Sequence, residues 1–283
     1  MGLRHPQGRR ALTAIIAAQF IGSLADNALL ILAIGLLAER QAAGWATPAL
    51  RLFFYLSFVL TAAFAGAIAD AFPKSRVLLA TNLAKLGGCA LLLAHLHPLA
   101  AYALVGLGAA AHSPARYGIL PELLPAEDLV AANAGVEIAT VLSILLGVAL
   151  GGWLLLLPAA WGLGTIAVCY AMSVVCTCAI PKGRAANPQA LNDPRALVTT
   201  FARSSKTLWR DAEGQIALAV TSLFGAAAAV LQFVVLRWAQ ERLGLPLAKA
   251  ALLQIAVALG MAGGAVAAAR WVPLRRALTM LPV

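Results

Sequence analysis

The sequence predicts an all-α membrane protein, and three features carry that prediction. Apolar residues gather into runs close to the roughly 20 residues that a helix needs to cross a bilayer. Only 11% of the 283 residues are Asp, Glu, Lys or Arg, while 62% are hydrophobic; a soluble domain is roughly a quarter charged. The basic residues lie in short loops between the apolar runs, not along one helix face or in one tail. A β-barrel is excluded, because barrel strands alternate lipid-facing and lumen-facing residues and these runs do not. The net charge of +10 therefore reads as a topology signal rather than a nucleic-acid surface.

Taken in order, the apolar runs place spans at residues 11–38, 50–69, 77–94, 99–111, 131–157, 161–180, 215–239 and 248–269, and residues 277–283 begin another. The first run follows Arg4, Arg9 and Arg10, as a signal peptide would. It is too long for such a segment and Asp26 interrupts it, so it is read as an uncleaved span. The fourth run is short and is expected to extend into Ser113-Pro114. The tight His95-Leu96-His97-Pro98 connection makes its flanking spans an antiparallel hairpin. Of the 21 Lys and Arg residues, fifteen fall on the side of the N-terminus and five on the other, with Lys85 inside the third span. That bias predicts a cytoplasmic N-terminus.

The longest connection, 181–214, is charged and holds Pro181, Pro188 and Pro194. It separates an N-terminal six-span bundle (1–180) from the start of a second bundle (215–283), the layout of a two-halved transporter.

Charge inside a membrane is expensive, roughly 2.5–3.5 kcal/mol at a helix centre on insertion scales. In the first span Gln19, Ser23, Asp26 and Asn27 fall within an arc of about 100° at helical spacing, with Gly22 on the same face. In the fifth, Asn133, Glu137, Thr140 and Ser143 repeat the pattern, and Gly147, Gly151 and Gly152 continue the helix with residues small enough for close packing. The third span adds Asn82 and Lys85. Two readings stand: the acids and Lys85 neutralise one another as interhelical ion pairs, or they line a water-filled path for a charged substrate.

Cys89, Cys169, Cys176 and Cys178 all lie in apolar segments without metal-ligand spacing, and read as small packing residues. His95, His97 and His112 read as residues at or near loops. No metal or cofactor is expected. Membrane catalysis would need a paired nucleophile and base or two facing acids, which the sequence does not offer, so no enzyme is expected.

Gly66 through Arg76 carry a Gly, an Asp four residues on, and the basic residues Lys74 and Arg76. This stretch resembles the major facilitator signature between spans two and three, with Ala71 at a usually basic position and Pro73 at the usual second Gly. More specific are Ala18-Gln19-Phe20-Ile21-Gly22-Ser23-Leu24-Ala25-Asp26-Asn27 and His112-Ser113-Pro114-Ala115-Arg116-Tyr117-Gly118, the latter followed by Glu122-Leu123. Together with Ala132-Asn133-Ala134-Gly135 and Ser205-Lys206-Thr207-Leu208-Trp209-Arg210, they resemble the bacterial lysophospholipid transporters of that superfamily, collinearly along the chain.

The resemblance implies a major facilitator helical bundle in which about eight spans of an expected twelve are present, so that a truncated chain or a fragment is expected. It implies a multi-pass protein of the bacterial inner membrane that moves lysophospholipids, chiefly lysophosphatidylethanolamine, towards the cytoplasmic leaflet. There a lysophospholipid acyltransferase would consume them. Substrate and membrane lipids are the partners implied. A drug or metabolite exporter of the same superfamily, or an inactive truncated product, is the alternative.

The candidate headgroup residues are Asp26, Asn27, Arg116, Lys85, Glu137 and Gln19: acids for an ammonium, cations for a phosphate. Gly66, Asp70, Lys74 and Arg76 are expected to serve gating and stability. In span seven, Gln232 stands where these relatives carry a basic residue.

Overall fold

The computed structural model describes residues 6–253 with 256, 259 and 260. The expected span at 248–269 is only partly within that range, and the apolar start at 277–283 lies outside it. Among the described residues, these helices follow one another: α1 (Pro6–Glu39), α2 (Ala46–Ala71), α3 (Lys74–Leu93), α4 (Pro98–Leu123), α5 (Ala126–Leu154), α6 (Ala159–Cys178), α7 (Pro194–Arg210) and α8 (Ala212–Leu243). Among the described residues, five segments are long and apolar enough to cross a membrane: Gly8–Glu39, Ala46–Ala71, Lys74–Leu93, Ala132–Leu154 and Ala159–Cys178. Helix α4 is 26 residues long, but His112, Ser113 and Pro114 lower the hydropathy of its second half.

Local chemistry sets the boundaries. Proline occupies the N-cap of α3 (Pro73), α5 (Pro125) and α6 (Pro158), where its fixed φ and missing N–H suit a helix start. His97 caps α4, its side chain accepting from the Leu99 N–H. The hairpin turn before it uses a left-handed residue, His95 at φ 62. Pro114 and Pro121 lie inside α4, which runs nine residues past Pro114 instead of ending there, as the short fourth run anticipated. Asp193 accepts from the Arg195 and Ala196 N–H groups to start α7, and Asp211 accepts from Gly214 to start α8.

The chain divides into two compact units, Met1–Thr199 and Thr200–Val283. In the first, α1 packs along α5 and α6, and α4 packs along α2 and α3. Two glycines set the first of these contacts. A Cβ on Gly147 would stand 2.6 Å from the Leu24 carbonyl oxygen, and one on Gly151 2.8 Å from that of Ala28. Only Gly fits at either position, so the small-residue stripe read in the sequence is where α5 lies backbone to backbone on α1. The interior of α1 is dry from Ala28 to Ala33, each residue 2% exposed or less. Large apolar side chains instead face outward, as Val59 and Val175 do at 71% and 68% exposure, the arrangement a lipid solvent favours.

The charged connection after α6 is not wholly irregular. It contains α7, a 17-residue helix with no buried residue. The backbone N–H of Asn187, in the segment before it, donates to the Asp70 carbonyl at 2.8 Å, which ties the connection to the end of α2.

Candidate functional site

The polar residues of α1, α3, α4, α5 and α6 meet inside the first unit. Asp26 lies twenty residues into α1, and both its oxygens are engaged. Oδ2 accepts from the Lys85 ammonium at 2.7 Å and Oδ1 from the Tyr170 hydroxyl at 2.7 Å. The two charged side chains are 16% and 5% exposed. The Lys85 left over in the sequence reading is thus the ion-pair partner of Asp26.

A second cluster sits two turns towards the N-terminus of α1. Gln19 Nε2 donates to Thr140 Oγ1 at 3.0 Å, and Arg116 Nη1 donates to the same hydroxyl at 3.3 Å. Thr140 sends its own proton to the Val136 carbonyl, so its oxygen accepts both contacts. Arg116 Nη2 lies 3.7 Å from Glu137 Oε1, which also accepts from the Tyr117 hydroxyl at 2.6 Å. The guanidinium carbon stacks 4.3 Å above the Tyr117 ring, a cation–π contact. Arg116 is buried, so it is held inside the bundle and does not anchor the helix to lipid phosphates.

Between the clusters lies a polar cavity of about 130 Å³ lined by Gln19, Ser23, Asp26, Asn82, Lys85, His112 and Arg116, among others. Two buried atoms on its walls have no hydrogen-bond partner: the Arg116 Nε and the Asn82 Oδ1. The Asn82 orientation follows from its neighbours. Thr177 gives its proton to the Ser173 carbonyl at 2.8 Å and therefore accepts from Asn82 Nδ2 at 2.9 Å, leaving Oδ1 towards the cavity. By the same logic, Thr81 donates to the Leu78 carbonyl and accepts from His112 Nδ1 at 3.0 Å. That tautomer leaves Nε2 as an acceptor. An unpaired buried donor and an unpaired buried acceptor each cost about 1–3 kcal/mol until something binds them.

The match to the major facilitator superfamily runs over residues 11–282. The chain belongs to that superfamily. The lysophospholipid transporter LplT of Yersinia pestis (strain Pestoides F) is 39% identical to it over 274 residues, covering 96% of this chain and 68% of the relative. The LplT protein of Yersinia pseudotuberculosis serotype O:3 (strain YPIII) matches with the same identity and coverage. The all-helical, multi-span architecture expected from the sequence is thus the fold of a major facilitator, and the chain is a multi-pass membrane protein.

In this facilitator, four of the six predicted headgroup residues, Gln19, Asp26, Lys85 and Arg116, line one cavity. Asn27 does not line it: its Nδ2 donates to the Ser23 carbonyl one turn back, and its Cβ packs where α5 passes at Gly147. Glu137 is also outside the lining; it reaches the site only through Arg116 and Tyr117, and its side chain is 52% exposed. His112 corrects the sequence reading: it is buried within α4, not a loop residue. Nothing in the sequence marks Tyr170, because a lone Tyr in an apolar span is ordinarily a packing residue. Only the fold shows its hydroxyl aimed at Asp26.

The superfamily signature forms a separate cluster at one end of the bundle. Lys74, buried on α3, places Nζ 2.5 Å from Glu122 Oε1 and 3.6 Å from Asp70 Oδ1. A Cβ on Gly118 would meet the Lys74 Cε at 2.6 Å, so Gly118 leaves the room Lys74 needs. Arg76 is exposed at the edge of an apolar groove of about 440 Å³ lined by α2, α3 and α4. Among the described residues, nothing lies within 4 Å of a Cβ placed on Gly66.

Proposed function

We propose that this chain moves lysophospholipids, lysophosphatidylethanolamine-like in headgroup, across a bacterial inner membrane towards the cytoplasmic leaflet. A lysophospholipid acyltransferase would consume them there. The bias of Lys and Arg supports a cytoplasmic N-terminus for that protein, and the LplT relatives, named as lysophospholipid transporters, support the substrate class. The observation that carries the reading is the pair of unsatisfied walls: a buried Arg116 donor and a buried Asn82 acceptor facing one polar cavity. A phosphoethanolamine headgroup brings the complement of both, phosphate oxygens for Arg116 and ammonium protons for Asn82.

The Asp26–Lys85 pair fits the same cargo. A zwitterion inserted into an ion pair leaves the local charge unchanged: its ammonium takes the place of Lys85 on Asp26, and its phosphate receives the Lys85 and Arg116 cations. A headgroup of one sign alone would leave a charge uncompensated in a site this buried, which is strongly unfavourable. The acyl chain remains in apolar surroundings throughout, so entry from the side between helices is consistent with the cargo.

Uptake of labelled lysophosphatidylethanolamine into cells lacking their own transporter tests the reading. Asp26→Asn and Arg116→Ala, each at normal membrane abundance, are expected to reduce uptake at least tenfold, the loss of one hydrogen bond to a charged group being worth about 1.5–3 kcal/mol. Wild-type rates in both would sink the site. Unaffected export of a soluble drug in the same variants, with no lysolipid uptake by the parent chain, would favour the exporter reading.

A further inference from the structure

The α7 helix stands apart from the site and has a different chemistry. Its sequence from Pro194 to Arg210 contains four cations and no acid. At 100° per residue, Leu197, Val198, Phe201, Leu208 and Trp209 fall within an arc of about 120°. Arg195, Arg203, Lys206 and Arg210 fall within an adjoining arc of about 80°, beginning beside Trp209. No residue of the helix is buried, and Phe201 and Trp209 are 46% and 65% exposed. Among the described residues, none of the four cations forms an ion pair. Asp193 and Asp211, which bracket the helix, are occupied in capping α7 and α8.

We propose that α7 is a lipid-surface helix that binds the anionic face of the bilayer. An apolar stripe flanked on one side by cations suits a helix lying in the interface, with its aromatic and aliphatic side chains below the headgroups and its cations at phosphate level. A soluble protein partner would need acidic residues to answer four cations, whereas an anionic leaflet supplies them everywhere along the membrane in which the chain already sits. The flank of Arg and Lys makes the attachment selective for negative lipid, each cation near such a surface strengthening it about fivefold. Because α7 lies in the chain between α6 and α8, its attachment would make that connection sensitive to the charge of the leaflet.

The test uses the whole chain in vesicles of phosphatidylcholine, with and without phosphatidylglycerol, and reads amide hydrogen exchange across residues 194–210. Phosphatidylglycerol is expected to slow exchange there by more than tenfold relative to phosphatidylcholine alone, and high salt to remove most of the difference. Arg203→Gln is expected to reduce the protection about fivefold, and Arg203→Lys to retain it. Phe201→Ser with Trp209→Ser is expected to abolish protection in both lipids while leaving exchange in α1–α6 unchanged. Equal exchange in the two vesicle types would overturn the proposal. So would equal protection in detergent without lipid, which would mean that the apolar stripe packs against protein.

Discussion

Two ion pairs border the same cavity, and they are built differently. Asp26 and Lys85 meet at 2.7 Å with both side chains enclosed, and Tyr170 saturates the remaining carboxylate oxygen. Arg116 and Glu137 stand 3.7 Å apart with Glu137 half-exposed, and the guanidinium keeps one nitrogen unpaired. In low dielectric the tight pair can open only to a group that replaces both charges at once, because separating it otherwise strands one of them. The loose pair loses little when disturbed, since a partly solvated pair contributes only about 0–1 kcal/mol. The enclosed pair is therefore the selective one, open only to a zwitterion, and the half-exposed pair is the adjustable one.

The largest effect should come from breaking the tight pair on one side. Lys85→Met leaves the Asp26 carboxylate buried with Tyr170 as its only partner, and is expected to destabilise the first unit by about 3–5 kcal/mol. Denaturant unfolding in detergent reads this directly. Adding Asp26→Leu should restore most of the stability, since a well-packed apolar pair is often neutral relative to a buried ion pair, while lysolipid uptake remains lost. Full stability in the single variant would show that water reaches the pair and that it is not enclosed.

A smaller effect belongs to the hydroxyl that completes the cluster. Tyr170→Phe removes one hydrogen bond to a charged oxygen and no volume, and is expected to cost about 1.5–3 kcal/mol in the same unfolding measurement. Its effect on uptake separates two roles. If Tyr170 only holds Asp26 still, uptake falls because the carboxylate loses its aim, and raising substrate concentration does not restore it. Recovery at high substrate would instead show that the hydroxyl meets the headgroup itself.

How far this was legible in the sequence depended on what each residue had beside it in the chain. The spans, the polar stripe on α1 and the glycine stripe on α5 follow from spacing along one helix, which the sequence displays. The pairing of Asp26 with Lys85 requires knowing that α1 and α3 face one another, so the sequence could only leave an ion pair and a substrate path as alternatives; the structure shows the pair, which forms one wall of a polar cavity. Asn27 and Asp26 stand at opposite edges of the polar arc of about 100° on α1, and the edge that holds Asn27 is the one turned to α5. Helix α7 is hard to see in the sequence because the prolines before it and its own charges resemble a linker, although its apolar and basic residues recur at helical spacing.

The finest distinction between the two pairs is at Glu137. If the Arg116 pair is the adjustable one, Glu137→Gln should change stability by no more than about 1 kcal/mol, because the guanidinium still has Thr140 and the Tyr117 ring. Its effect on binding should have the opposite sign to that of the Arg116 variants. With the competing carboxylate neutralised, the unpaired guanidinium edge meets a phosphate without a rival, so lysolipid is held more tightly and the apparent KM for uptake falls. Tighter ground-state binding without matching stabilisation of the transition slows release, so the maximal rate should fall as well. A raised KM would place Glu137 on the ammonium of the headgroup instead, and would make the second pair, not the first, the one into which the zwitterion inserts.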